Sequence, residues 1–287
     1  MSGIILGIDA GNHMAKVAGL YGAMQNKTAL CDWFPRDIKE VHGDDDMEFE
    51  IDGRKGFSGS IAENEDQYGG GGSLYGDTKA HEDVKIRVLL AAHRYLKKHA
   101  PYNYEINIVT GQPLSTHNDA EKQKIKNMLT GRHIFAVNGE QQIIHIQGCT
   151  VAAEGGGAFW CVPQMGTVRT LDIGSGTVNA VTIKDKRIIN NASGTFNFGA
   201  ETVLDKNDLK GMARGIIRNT MKLKWGRSDK VLICGGIANE MLPYLLQHYP
   251  NAEIIQPQLQ HSGGMSILHP VYGNAVGFLE IAKGVYI

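Results

Sequence analysis

The sequence predicts an α/β fold made of two related halves that share one ligand cleft. Three observations carry this expectation. Strand-like and helix-like periodicities alternate along the chain, the pattern of layered α/β proteins. An Asp-x-Gly turn between two strand-like runs stands near the start, at Asp9-Ala-Gly11, and another stands 163 positions later, at Asp172-Ile-Gly174. The 287 residues allow a large core, and that length suits about two domains.

In chain order, Ile4-Ile-Leu-Gly-Ile8 reads as a strand, Asp9 to His13 as a turn and Lys16-Val-Ala-Gly-Leu20 as the returning strand. Residues 28–34 suit a further strand. Residues 46–52 alternate acid and apolar strictly, as a half-buried strand does; the acidic segment Asp44 through Asp52 is expected to be a solvated edge strand. Asp52-Gly53 signals a hairpin turn. The run from Tyr68 to Gly72 with Ser73 is expected to be a flexible loop, and Asp77 to cap a helix reaching about His99. Val84, Val88, Leu89, Ala92, Tyr95 and Leu96 share one face of that helix. A strand over 105–110 ends in Gly111-Gln-Pro113, and a charged helix over 118–129 is stopped by Gly131. Strands follow over 132–137 and 142–149, then the segment opened by Glu154.

The second half repeats the scheme. The run from Val168 ends in Asp172, and an alternating run returns through Val181 and Ile183. Residues 187–192 read as a strand, 194–199 as a loop and 200–224 as helix. Val231-Leu-Ile-Cys234 is a buried strand that delivers Gly235-Gly236, with a helix to about His248 behind it. Residues 252–255 suit a strand, and a last helix over 274–283 is expected to stop at Gly284.

Composition narrows the function classes. A net charge of −1 gives no global attraction to nucleic acid or anionic membrane. The four cysteines are widely spaced with no Cys-x-x-Cys, which argues against zinc and disulfide frameworks and fits a reducing cytoplasm. No signal peptide is expected, and no apolar run approaches the ~20 residues of a membrane helix.

Gly174 and Gly176 let backbone approach a ligand and turn N–H groups toward it. Asp172 ends its strand facing the same place, and Asp9 does the same in the first half. Amides aimed at anions beside a carboxylate suit a phosphate chain carrying a divalent cation.

Together with Val231 to Gly236, the two turns resemble the two phosphate loops and the adenosine loop of the actin, Hsp70 and sugar-kinase superfamily. Within it the chain resembles the bacterial actin-like ParM group of plasmid-segregation proteins. The further matches are Lys16 seven residues after Asp9, Val109-Thr-Gly-Gln-Pro113, Glu154 ahead of the second loop, and Gly273-Asn-Ala-Val-Gly277. The resemblance implies an actin-like fold with domain I over 1–153, domain II over 154–270 and a C-terminal helix, 271–287, returning to domain I. It implies an ATPase that polymerises with ATP (or GTP) and Mg²⁺. Asp9 and Asp172 would hold the cation largely through water. Loop residues Gly11, Asn12, Gly174, Ser175 and Gly176 would bind β- and γ-phosphates, with His13 and Thr177 in the same loops and His13 not as a base. Lys16 would neutralise phosphate charge, Glu154 would orient or deprotonate the attacking water, and Gly235 and Gly236 would sit against adenosine. The implied partners are further copies of the chain in a helical filament and a DNA-bound adaptor protein of ParR type. No membrane contact and no direct sequence-specific nucleic-acid contact is expected.

Two departures matter. Asn12 stands where actin has a serine. Only 63 positions separate Asp172 from Gly235, so the outer subdomain of the second half is expected to be missing or reduced, as in the shortened AlfA-type segregation actins. Lys206, Lys210, Arg214, Arg218 and Lys222 recur every four residues, and a solvated face is the expected reading, with a contact to nucleotide, an acidic neighbour or DNA as the alternative. For the acidic segment Asp44 through Asp52 the alternative to a solvated edge strand is a filament contact. Three rival functions remain. A small-molecule kinase is one, since Ile8-Asp-Ala-Gly-Asn12 also resembles the opening of type III pantothenate kinases, although no acceptor motif stands out. An aspartic protease needs Thr or Ser inside each turn, where this chain has Ala10 and Ile173. A nucleotide-binding scaffold without turnover has no use for Glu154.

Overall fold

The computed structural model describes residues 3–66, 78–261 and 263–287. The first half runs β1 (Ile4–Ala10), β2 (Met14–Gly19), β3 (Gly22–Lys27), β4 (Leu30–Asp32), β5 (Met47–Ile51), β6 (Arg54–Ser58), α1 (Ser60–Glu65), α2 (Glu82–His99), β7 (Glu105–Gln112), α3 (Asp119–Leu129), β8 (Gly131–Val137) and β9 (Glu140–Ala153). The second half runs β10 (Thr167–Ile173), β11 (Val178–Lys184), β12 (Arg187–Ile188), β13 (Gly194–Phe196), α4 (Leu209–Lys222), β14 (Val231–Gly235), α5 (Ala238–Leu245) and β15 (Ala252–Ile254). A hairpin of β16 (Gln258–His261) and β17 (Gly264–Ile267) leads to the last helix, α6 (Gly273–Tyr286).

The first sheet has the order β3-β2-β1-β7-β9-β8-β5-β6-β4. β1 is apolar along nearly its whole length because helices cover both its faces, α2 on one side and α6 on the other. The six apolar residues of the α2 stripe are all buried against the sheet. α6 lies so close that a Cβ on Gly7 would sit 2.1 Å from the Ala275 carbonyl oxygen, and one on Gly277 would sit 1.9 Å from that of Gly157. Only glycine fits at those two places.

The second sheet has the order β12-β11-β10-β14-β15, with β13 added beside β11. Met212 and Ile216 of α4, Met241 and Leu245 of α5 and Trp225 build its core on one face. The two halves repeat one unit. β1 pairs with β2 antiparallel and with β7 parallel, and β10 pairs likewise with β11 and β14. Asp9 stands opposite Lys16, and Asp172 stands opposite Asn179 at the equivalent register. Between Asp172 and the start of β14 the chain makes only β11, β12, a 3₁₀ turn, β13 and α4, all in or on the second sheet. The first half has an outer extension, β5, β6 and β4 with α1, and the second has no counterpart to it among the described residues.

Several local expectations change. The acidic segment is not an edge: β5 is paired on one side with β8 and on the other with β6. Its alternation is real, with Glu48 and Glu50 facing solvent, while Asp45 and Asp46 accept backbone N–H groups from Lys27 and His42. Helix begins at Leu209 rather than 200, because Asp208 caps it by accepting the Gly211 N–H. Residues 187–192 form two strand residues and a 3₁₀ turn. Gly284 does not end the last helix, which continues to Tyr286, whose hydroxyl reaches Thr150 Oγ1 at 2.9 Å. The expected loop over 68–73 and the Asp77 cap lie outside the described residues, and α2 itself starts at Glu82. β3, α1 and the β16–β17 hairpin carry no sequence signal strong enough to expect them.

Candidate functional site

The two Asp-x-Gly turns face each other across a cavity of about 750 Å³ between the halves. In the first turn, Thr28 Oγ1 donates to the Gly11 carbonyl at 2.8 Å, and the Thr28 N–H donates to that of His13. Arg87, on the buried face of α2, grips the same turn. Its Nε donates to the Thr28 carbonyl at 3.1 Å, and its other donor group reaches Asn12 Oδ1 at 2.7 Å. That bond fixes the Asn12 amide with its oxygen turned to Arg87, leaving the NH₂ for the cavity.

The second turn is closed by the Gly174 N–H on the Thr177 carbonyl, 3.0 Å away. Residues 199–202 fold back over it, with the N–H groups of Ala200 and Glu201 on the carbonyls of Gly174 and Ser175. The N–H groups of Asn12, Ser175 and Gly176 have no acceptor among the described residues, and all three residues line the cavity. Gly235 has a φ of 109°, and a Cβ there would sit 2.1 Å from the Ile173 carbonyl oxygen. This is why β14 can end against β10 and present Gly236, around which space is open.

Three carboxylates converge here. Asp9 Oδ2 lies 3.9 Å from Lys16 Nζ. Asp172 Oδ2 accepts from Asn274 Nδ2 at 3.0 Å, and Asn274 Oδ1 accepts the Gly155 N–H at 3.1 Å, so one amide at the start of α6 ties Asp172 to the Glu154–Gly155 peptide. Burial, reinforced by the charge of Asp9, raises the Asp172 carboxyl above its ordinary range, against the pull of the Asn274 bond. Glu154 is raised by burial, against the opposing charge of Lys79, with which it forms a close ion pair. Burial lowers Lys79, but the charges of Glu154 and Asp9 outweigh it and the ammonium is held on. A carboxyl at Asp172 raised by burial beside the charge of Asp9 is an environment that a cation relieves. No cluster of three or more His, Cys, Asp or Glu suited to a metal exists among the described residues. Asp9 and Asp172 alone fit Mg²⁺, which retains water and takes one or two carboxylates plus substrate phosphate oxygens.

Every residue assigned a nucleotide or cation role from the sequence lies on this one cavity: Asp9, Gly11, Asn12, His13 and Lys16 of the first turn, Glu154, Asp172 through Thr177 of the second, and Gly235 with Gly236; the basic stripe of Lys206 to Lys222 does not line it. His13 sits at its rim, 3.9 Å from Glu63. Sequence reasoning missed Lys79, Arg87, Asn179 and Asn274. Arg87 had a signal, since it is a cation among the apolar residues of α2 and is buried with them. Asn274 stood in a quoted motif with no role assigned. Lys79 had none.

A chain with two duplicated strand–turn–strand units closing on one cleft is a two-lobed α/β protein of the actin type. A family model for the N-terminal domain of actin like proteins matches residues 7–157, and the chain belongs to that family. No curated protein sequence matches. The fold is that of the AlfA and ParM structures. An AlfA filament bound to AMPPNP is 18% identical with a TM-score of 0.79, covering 99% of this chain and 100% of that one. The filament structure of AlfA from the B. subtilis plasmid pLS32 is 20% identical with a TM-score of 0.80, covering 96% and 98%. The apo psk41 ParM protein is 16% identical with a TM-score of 0.73, covering 99% and 98%. Among the described residues no helix is long and apolar enough to cross a membrane.

Proposed function

We propose that this chain binds a nucleoside triphosphate with Mg²⁺ in the cleft, hydrolyses it, and assembles with further copies of itself into a filament that segregates plasmid DNA through a DNA-bound adaptor. The observation that carries the reading is the position of Glu154. It is a buried carboxylate on the wall of the cavity that both phosphate-type turns face; burial raises its proton affinity, which suits a base, and its ion pair with Lys79 favours the ionised form that can accept a proton from water. The free N–H groups of both turns, the Asn12 amide and Lys16 suit β- and γ-phosphate oxygens, and Asp9 and Asp172 suit the water shell of the cation. The matched filaments, one bound to AMPPNP, support assembly and triphosphate binding as the use of this cleft. Domain I over 1–153 with helix 271–287, and domain II over 154–270, are the bodies proposed to close on the nucleotide. With no outer extension on the second half among the described residues, the base end of the cavity stays open, and preference for ATP over GTP is modest.

The test follows phosphate release and light scattering together after ATP–Mg²⁺ is added to the full chain. Wild-type protein should scatter and then release phosphate. Glu154→Gln should bind ATP and assemble, with hydrolysis slowed by about 10²–10⁴-fold, the usual share of a general base. Absence of both scattering and hydrolysis in wild-type protein overturns the reading.

A further inference from the structure

We infer that Lys79 positions Glu154 for hydrolysis, acting through that carboxylate rather than on the nucleotide. The inference rests on the reading of Glu154 as the group that takes the proton of the attacking water. Glu154 is 6% exposed, with Asp9 and Asp172 in the same cleft, so an unpaired carboxylate there would be expensive to hold ionised and free to turn. Lys79 removes both problems. Its Nζ donates to one carboxylate oxygen, Oε1, and also to the Ala10 carbonyl at 3.3 Å. The ammonium therefore bridges the first phosphate-type turn to Glu154. The second oxygen, Oε2, has no partner among the described residues and is left for the water.

The lysine is itself held. Its backbone N–H donates to Gln112 Oε1 at 3.2 Å, and Gln112, fully buried at the end of β7, donates from Nε2 to Thr116 Oγ1 at 2.7 Å. Lys16 takes the other cationic position, 3.9 Å from Asp9, so the two ammonium groups have separate work. In the step served, the water oxygen bonds to the γ-phosphorus and the bond from that phosphorus to the β,γ-bridging oxygen breaks. One water proton passes to Glu154 Oε2, and Lys79 keeps all its protons. Fixing Oε1 fixes where Oε2 points, which is the quantity the step depends on.

The measurement is single-turnover hydrolysis of ATP–Mg²⁺ beside titration with a fluorescent ATP analogue. It uses the full chain as wild type, Lys79→Met, Lys79→Arg, Glu154→Gln and the Lys79→Met/Glu154→Gln double variant. Lys79→Met should bind nucleotide within about threefold of wild type while hydrolysis falls about 10–100-fold, part of the general-base share. Lys79→Arg should recover part of the rate. In the Glu154→Gln background, Lys79→Met should change the rate less than about twofold, because a residue acting through another adds nothing once that other is gone. Should Lys79→Met not fold by circular dichroism, Lys79→Gln carries the same expectation. Independent, multiplying losses, or a loss of affinity as large as the loss of rate, overturn the inference. Wild-type turnover in Glu154→Gln removes the base reading and the inference with it. Slowed turnover in Glu154→Gln beside wild-type turnover in Lys79→Met removes the inference alone.

Discussion

Replacing Asn274 by alanine tests the geometry of the cleft without reference to any activity. Asn274 is 5% exposed and makes two bonds, one donated to the Asp172 carboxylate at 3.0 Å and one accepted from the Gly155 N–H at 3.1 Å. A bond to a charged group contributes about 1.5–3 kcal/mol, and an N–H left unpaired in a buried place costs about 1–3 kcal/mol. The cleft lies next to both groups, so water recovers part of this, and a net loss of about 3 kcal/mol is expected for Asn274→Ala. Urea unfolding of the nucleotide-free chain at 25 °C reads it as a lower midpoint with an unchanged slope. Asn274→Asp adds a signature in pH. The new carboxylate keeps an acceptor for Gly155 but stands against Asp172, raising both groups in the folded state. Stability of that variant relative to wild type should then be best in acid and be lost as pH rises from the ordinary carboxylate range through the raised folded values. A loss under about 1 kcal/mol for Asn274→Ala, or an Asn274→Asp variant with no pH dependence beyond wild type, refutes the argument that this amide ties Asp172 to the Glu154 segment.

Three further outcomes are expected. Arg87→Leu releases the Asn12 amide to rotate, so nucleotide affinity should fall about 5–10-fold, roughly the worth of one hydrogen bond; titration with a fluorescent nucleotide measures it, and unchanged affinity would show that Asn12 does not face phosphate. Burial raises Glu154, so single-turnover hydrolysis should climb with pH through a limb above the ordinary glutamate value of about 4.3 as the carboxylate deprotonates; a rate already flat from pH 4 upward contradicts this. Lys210, Arg214, Arg218 and Lys222 are all exposed on α4, and the first three have no partner among the described residues. If they make filament contacts, changing Lys210, Arg214 and Arg218 to glutamate stops sedimentation with ATP–Mg²⁺ while circular dichroism is unchanged, and normal sedimentation returns the stripe to a solvated face.

What could be read from the sequence is what depends on neighbours along the chain. Alternation and helical spacing showed β5 and α2, because burial of one face imposes a period on the residues themselves, and short apolar runs ending in turn residues showed β1 and β14, which are buried on both faces. Asp52-Gly53 turned out as a hairpin whose two residues both have positive φ, a requirement local to the turn. The two Asp-x-Gly turns were legible for the same reason, and with them most of the cavity wall. Tertiary structure alone decided the rest. Whether β5 is an edge depends on β8, some 80 positions further on, and nothing within 46–52 reports that pairing. Lys79 is 75 residues from Glu154, and Asn274 is 102 from Asp172. Each is an unremarkable polar residue in its own stretch, and acquires its role only when the sheets, and the helix that crosses behind them, bring the two ends of the bond together. A charge pair or a hydrogen bond between distant residues leaves no period in either segment. The turns that present the cleft are therefore written locally, while the groups that orient its carboxylates emerge from packing.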